Sequence, residues 1–462
     1  MADLLIVNSS SEGYDKTETS YPLGLCYLAA AAESRGLSVG FFDSYREPWS
    51  RARGRFEALL RELRPAVAGF SCLSFNRNST RDAARMVKLI LPGTLTVCGG
   101  PHATPMQEQI LRHYDVDVVV RGEGEETLPE VVEAFKGRSP LSAVRGIGYK
   151  ADGGVRVTPD RAFIADLDSL PLPKHDLYAG KIGAEGRAYV ISTRGCPGRC
   201  HFCVSTLQLG RRYRMRSAEN VMTEIKELYG KYGIRTFGFQ DDALTLNRGR
   251  TLEFCERMAS AGLPVKWSAS TRANAFDAEM AAMMYRAGCR HVAFGVESGS
   301  EKLLRAMNKR IMPERVVEAF RAAHEAGLST GILLIVGTPG ESWSTVMETV
   351  RLVRRLKPSY VRSVALLQVF PGTHWYEYCR SRGYLDDEYW LSARPVPYYT
   401  FEHSELALSF YGFFITFASQ WHSSPLRGTV FLFTAIYKYA PRIAKAVLKL
   451  FMTIGRRARR GG

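Results

Sequence analysis

The chain has 462 residues, 46% apolar and 23% charged, which suits two or three separately cored domains and excludes a mainly disordered, collagen-like or multi-span membrane protein. Its 62 Lys and Arg against 46 Asp and Glu leave a net charge of +16. That excess points to nucleic acid, an acidic membrane surface or an anionic substrate, and its position along the chain should decide among them. Nine cysteines, six of them scattered, and an N-terminus that opens as a strand instead of a signal peptide imply a reducing, cytoplasmic compartment.

In residues 1–145, short apolar runs at 3–8, 37–42, 66–71, 94–98 and 117–120 alternate with amphipathic segments beginning near Leu23, Arg53, Ser79, Thr104 and Glu125. This α/β rhythm predicts a doubly wound, Rossmann-like parallel sheet with its ligand crevice at the carboxyl ends of the strands. A hairpin near 146–157 and the proline-spaced DLDSLPLPKHDLY (166–178) mark 146–186 as hairpin and linker. A second alternation spans 187–398, with strands expected at 188–192, 236–239, 265–269, 291–295, 331–336 and 361–368. Six βα units with their chemistry at the strand C-termini predict a partial (β/α)6 TIM-like barrel, open on one side.

Residues 399–462 form an aromatic and basic helical tail. Nine Lys or Arg and two Glu put +7 of the +16 into residues 400–462. Lys438, Arg442, Lys445 and Lys449 fall on one helical face, with Ile443, Val447, Leu450, Phe451 and Ile454 on another. The pattern suits a helix lying on an anionic membrane surface, with RRARR as an electrostatic anchor, and it also suits a helical cap on the barrel. No run of about 18 apolar residues could span a bilayer.

The sharpest motif is STRGCPGRCHFC (192–203), where Cys196, Cys200 and Cys203 follow a strand as CxxxCxxC. Thiolates are soft ligands suited to iron–sulfur clusters, and three of them leave one iron of a four-iron cluster open. A zinc site would want a fourth ligand at finger-like spacing, and no second CxxC exists.

With Phe202 beside the last cysteine, YRMRSAENVMTEI (213–225), FQDDALT (239–245), GVESGS (295–300) and VGTPGES (336–342), the sequence resembles the radical S-adenosylmethionine (SAM) enzymes, specifically their cobalamin-linked subgroup. The resemblance implies a [4Fe-4S] cluster on Cys196, Cys200 and Cys203. It implies SAM held near Phe202, Glu297, Ser298, Gly337 and Thr338, with Glu297 on the ribose and the backbone of Gly337 and Thr338 at the adenine. Arg272, in SASTRAN, is either a partner for the methionyl carboxylate or a structural salt bridge. Asp241 and Asp242 could meet substrate or the methionyl amine, or cap a helix.

The first domain is similar to the cobalamin-binding domain that precedes many such barrels, through SYPLGLCYLAAAAESRG (20–36), VCGGPHAT (97–104) and VRGEGEETL (120–128). Gly99, Gly100 and Pro101, with Gly122, Glu123, Gly124 and Glu125, are then the expected cobalamin contacts, and His102 is expected either to pack or to make a polar contact to the corrin side chains. Glycine pairs at adjacent strand ends would let backbone approach a large flat ligand. No DxHxxG motif occurs, so a histidine ligand beneath the cobalt is not carried over to His102.

The resemblance implies methyl transfer to an unactivated carbon or phosphinate-type centre of a small molecule through a 5′-deoxyadenosyl radical and methylcobalamin, and the aromatic and basic tail suggests that the substrate is lipophilic. The alternative is a cyclase or oxidative rearrangement enzyme on the same cofactors. A remoter alternative, an RNA methylthiotransferase, would need a second cluster on Cys26, Cys72 and Cys98; the absence of a β-rich tail disfavours a nucleic-acid partner. An external electron donor of flavodoxin or ferredoxin type and peripheral placement on the inner membrane face complete the expectation. No acid–base residue stands out as catalytic.

Overall fold

The structure, a computed structural model, describes residues 2–11, 21–44 and 47–423. The first domain alternates β1 (Leu4–Asn8), α1 (Leu23–Ser34), β2 (Val39–Asp43), α2 (Trp49–Leu63), β3 (Val67–Ser71), α3 (Arg77–Ile90), β4 (Leu95–Gly99), α4 (Gln107–His113), β5 (Val118–Val120) and α5 (Thr127–Phe135). All five expected strands are present within a few residues of their expected ends. The strands run parallel in the order β2-β1-β3-β4-β5. The order reverses between β1 and β3, the topological switch point where such sheets bind ligands.

Strand periodicity sorts the core onto two faces. Leu5, Val7, Ala68 and Phe70 point to the side that holds Phe56, Leu60 and Val87. Leu4, Ile6, Val67 and Val97 point to the side that holds Leu25, Ala29 and Val132. The hairpin, β6 (Ile147–Ala151) and β7 (Gly154–Val157), is present, but it is part of the sheet and not of a linker: β6 pairs antiparallel with β5 and extends the sheet to seven strands.

The second domain carries β8 (Arg187–Val190), two short strands β9 (Thr193–Arg194) and β10 (Arg214–Met215), then β11 (Thr236–Phe239), β12 (Lys266–Thr271), β13 (Cys289–Glu297), β14 (Ser329–Val336) and β15 (Tyr360–Leu366). Among the described residues six strands pair in parallel in the order β8-β11-β12-β13-β14-β15, with β8 and β15 as edges and no closure between them. The partial barrel is thus as expected from the sequence. The helix Glu405–Ser423 packs along β15 and the helix Trp343–Leu356. It buries Leu408, Ile415 and Ala418, and Phe414 lies 4.9 Å from the Trp343 ring. This part of the tail is a cap on the barrel edge. The basic face at Lys438, Arg442, Lys445 and Lys449 and the RRARR segment lie outside the described residues.

The two domains share their cores. Tyr21, Leu23 and Cys26 pack with barrel residues such as Tyr189 and Ile225. After β15 the chain returns to the first domain, where the fully buried Trp390 lies under the Arg77 guanidinium at 5.2 Å and its carbonyl accepts from Arg77 Nε at 3.0 Å. Cys26 belongs to the barrel-side core, whereas Cys72 and Cys98 lie on the far face of the first sheet. The three cysteines that a methylthiotransferase cluster would need are therefore not brought together.

Candidate active site

The cysteine loop is built from its ends inward. The buried carboxylate of Asp241, just past β11, accepts from the amides of Ser192 (2.7 Å) and Thr193 (3.1 Å) and from the Ser192 hydroxyl. These bonds fix the chain leaving β8, and they occupy Asp241 with backbone. Strands β9 and β10 then pair antiparallel, with Arg194 opposite Arg214, and close the loop between them. Inside it the three thiols are free and half-buried. A Cβ on Gly198 would stand 3.3 Å from Cys196 Sγ, 3.8 Å from Cys200 Sγ and 2.9 Å from Arg272 Nη1, so the glycine keeps open a space that two thiols and a guanidinium border. Burial pushes the Cys203 thiol up to about 11, with the neighbouring Cys200 and Cys196 adding to the rise. Among the described residues no three His, Cys, Asp or Glu side chains are placed to hold a single metal ion.

Next to the loop, a register shift near the end of β13 puts Glu297 in the left-handed region, at φ 68°. Its carboxylate lies 2.6 Å from Lys309 Nζ, and both side chains are buried. The ammonium also stands 5.9 Å from the Phe202 ring centroid, and Arg272 Nη2 donates to the Lys309 carbonyl at 2.9 Å. Phe202, Arg272 and Glu297 are thus brought together, and Lys309 is the hub joining them. Nothing in the sequence motifs singled it out. The two residues beside it, Asn308 (φ 52°) and Arg310 (φ 49°), are both left-handed, so the turn that aims Lys309 inward is strained at both flanks.

At the end of β14, Gly337 has φ 92° and donates its amide to Glu341 Oε2 at 3.2 Å. The Thr338 hydroxyl is buried with no hydrogen-bond partner among the described residues, as expected of a group whose partner is a ligand. Ser298 is committed locally: its hydroxyl lies 3.2 Å from Thr349 Oγ1 and accepts from the Ser300 amide at 3.1 Å.

Between the domains lies a cavity of about 260 Å³ that opens to solvent. The first domain lines it at the switch point with Ile6, Gly69 and Phe70 and, from the ends of β4 and β5, with Gly99, Gly100, Pro101, Gly122, Glu123, Gly124 and Glu125. The second domain contributes Thr193, Arg194, Gln240 and Asp242. Gly100 has φ 110°, and a Cβ there would come 2.8 Å from the Cys72 carbonyl; one on Gly124 would come 2.9 Å from Leu28. Such bare backbone around an apolar opening fits a large flat ligand like a corrin. The Ser205 hydroxyl donates to the Asp242 carboxylate.

His102 does not line the cavity. It is fully buried, with Nδ1 3.0 Å from Ser74 Oγ, its ring edge-on to Trp390 at 5.3 Å, and Nε2 unpartnered. Burial pushes its imidazole down to about 3, so it is neutral and packs the core beneath the cavity. A histidine in GGPHAT looks like a ligand contact in sequence because its neighbours Gly99, Gly100 and Pro101 line the cavity. One residue of advance turns it from the cavity to the core.

The cavity at the switch point of the first sheet is also lined by Arg194, Gln208 and Leu209, from the loop that carries the three thiols, so one space adjoins both the glycine-rich strand ends and that loop. Residues 17–132 match the B12 binding domain and residues 190–353 the radical SAM superfamily. The chain is 34% identical over 364 residues, 78% of each protein, to an uncharacterized methyltransferase of Pyrococcus horikoshii. It is 30% identical to the anaerobic magnesium-protoporphyrin IX monomethyl ester cyclase of Cereibacter sphaeroides over 76% of this chain and 59% of that enzyme. Its fold matches the radical SAM methyltransferase TsrM of Kitasatospora setae, solved with cobalamin and a [4Fe-4S] cluster, with a TM-score of 0.69 and 20% identity over 83% of this chain and 78% of that one. The chain belongs to the cobalamin-dependent radical SAM family, whose cofactors are a [4Fe-4S] cluster, SAM and cobalamin.

Proposed function

We propose that this enzyme is a C-methyltransferase acting on an unactivated carbon of a small, lipophilic substrate. The observation that carries the reading is the shared cavity: the cobalamin-side glycines and the barrel-side Thr193, Arg194, Gln240 and Asp242 face one space, so a methyl donor and a radical generator can address one substrate. Bound together, the cofactors supply reductive SAM cleavage, hydrogen abstraction and a transferable methyl group. The protein supplies placement and exclusion of water.

The thiolates of Cys196, Cys200 and Cys203 would hold the cluster, which would supply the electron for SAM cleavage. Arg272 has no carboxylate partner among the described residues, and it and Lys309 offer positive charge to the methionyl carboxylate. Glu297 accepts from the ribose hydroxyls, Phe202 packs beside the adenine, and Gly337 and Thr338 frame it, with the free Thr338 hydroxyl as a specific donor or acceptor. Gly99, Gly100, Pro101, Gly122 and Gly124 cradle cobalamin. Asp241 and Ser298 keep the backbone of these sites in place and touch no cofactor. Electrons come from an external flavodoxin- or ferredoxin-type donor.

The test is anaerobic reconstitution with iron, sulfide and hydroxocobalamin, then incubation of an organic cell extract with methyl-deuterated SAM. Deuterium in a lipophilic product supports methyl transfer. Deoxyadenosine with no label in any product favours the cyclase or rearrangement reading, which the Cereibacter relative supports.

Leu406, Phe410 and Trp421 on the edge helix are 65%, 52% and 46% exposed, an apolar surface suited to a membrane interface. No helix among the described residues is long and apolar enough to cross a membrane. We therefore read the basic segment 424–462 as its electrostatic partner on anionic lipid. A chain ending at residue 423 is expected to lose co-sedimentation with anionic vesicles while keeping its iron; unchanged sedimentation would rule the anchor out.

A further inference from the structure

The two cofactor sites are joined by a buried ionic network that neither cofactor explains. Glu123 and Glu125 follow β5 in the first domain; Arg194 and Arg214 stand opposite each other in β9 and β10, at the two ends of the cysteine loop. Arg194 Nη1 lies 2.9 Å from Glu123 Oε1 and its Nη2 2.7 Å from Glu125 Oε1. Arg214 Nη1 lies 2.9 and 2.7 Å from the two oxygens of Glu123. Glu123 also accepts from the Ile164 amide at 2.9 Å, and Arg214 donates to the carbonyls of Ile164 and Leu209, both at 2.7 Å. No side chain of the four is more than 6% exposed. The carboxylates of Glu125 and Glu123 outweigh the effect of burial and hold the Arg194 guanidinium above its ordinary value.

One carboxylate of the first domain thus bonds both ends of the loop that carries the cysteines. The same residue, with Gly122 and Gly124 at its sides, lines the cavity. Two buried acids facing two buried guanidiniums are balanced, and the network keeps its geometry only if the turn after β5 and the β9–β10 pair move together.

We infer that Glu123, with Arg194 and Arg214, couples cobalamin binding on the first domain to the conformation of the cysteine loop on the second. Glu123 and Arg214 are positioning residues: a corrin that orders the turn after β5 orders the loop, and a loop set by its cluster presents the turn ready for the corrin. Coupling of this kind is reciprocal. The inference rests on the assignment of cluster and cobalamin proposed above.

The test compares the affinity of the full-length protein for hydroxocobalamin, followed anaerobically by absorbance, with the cluster loaded and with it absent. Wild type is expected to bind at least about fivefold more tightly with the cluster in place, the lower end of usual coupling between sites. Glu123→Gln and Arg214→Lys should bring the ratio close to one. Because Glu123 lines the cavity, its variant can also change affinity directly, but a ratio of two states of one variant removes that contribution. Arg214 does not line the cavity and its Lys variant keeps the charge balance, so a collapsed ratio there reports the network alone. A wild-type ratio of one, or a wild-type ratio retained in Arg214→Lys, overturns the coupling. A wild-type protein that takes up no iron or no cobalamin overturns the functional assignment, and the coupling with it.

Discussion

The two proposed cofactor sites are made of different material. On the first domain the cavity is floored by backbone: Gly99, Gly100, Gly122 and Gly124 at adjacent strand ends, with apolar walls. On the second, the space beside the thiols is bordered by charge, with Lys309, Glu297 and Arg272 within one cluster. The difference follows from what each must recognise. A corrin is broad and flat, and the selective device is the absence of side chains. SAM is a small sulfonium cation that also carries an ammonium, a carboxylate and hydroxyls, and the selective device is fixed charge in a place sheltered from water. Substitutions should accordingly act by shape on one side and by charge on the other.

The largest effect is expected where charge is removed. Lys309→Met leaves the Glu297 carboxylate buried without its partner and should cost about 3–5 kcal/mol of stability, read by urea unfolding, together with SAM binding read by equilibrium dialysis. The double variant Lys309→Met, Glu297→Gln removes both charges. It should regain most of the stability and none of the SAM affinity. A double variant that binds SAM as wild type does would mean that the pair is only structural. Cobalamin affinity should change in neither by more than the coupling through Glu123 transmits.

The complementary break is by shape. Gly100→Ala must hold φ 110° and place a methyl 2.8 Å from the Cys72 carbonyl. Backbone strain of this kind costs of order 1–3 kcal/mol, and here it falls on the cavity floor. Hydroxocobalamin affinity should drop while SAM affinity is kept. Equal losses of both ligands would show that Gly100 matters to overall folding and would erase the contrast between the sites.

These expectations also mark how far the sequence was readable. Periodicity located every strand of both sheets, because alternating or continuous apolar runs must be buried whatever the tertiary contacts. CxxxCxxC and the glycine pairs were readable because each has few physical reasons to exist. Lys309 was not, since a lysine six residues beyond Leu303 reads as solvated; only the paired left-handed turn around it turns it inward. Arg194 and Arg214 lie inside quoted motifs, yet their partner is 71 and 91 residues away in sequence, and no local pattern carries a pairing of that span. Asp241, Ser298 and His102 fail in the opposite sense: they stand beside ligand-facing residues, and neighbouring positions in a strand-end loop face different ways. The hairpin was readable as a hairpin, but its addition to the first sheet was not, because the edge of β5 that receives it is a tertiary feature.

The smallest effect concerns His102, the residue that changed sides. In the unfolded chain its imidazole takes a proton near pH 6.5, whereas burial delays protonation in the folded protein to about 3. Between these values the unfolded state binds more protons, so stability rises with pH. The contribution is complete above pH 6.5 and declines as pH falls, by up to about 1.4 kcal/mol per unit. Replacing His102 by Phe removes one titrating group and leaves no buried Nε2 without a partner. The variant should unfold with a shallower dependence of its urea midpoint on pH between 7 and 5, and with SAM affinity unchanged. Cobalamin affinity should be nearly unchanged as well, since the ring packs against Trp390 and not on the cavity wall. If the pH slope of His102→Phe equals that of wild type, the histidine is not held neutral in the folded state. If cobalamin binding is lost while the fold and the slope behave as expected, the ring supports the cavity floor more closely than its place beneath Trp390 implies.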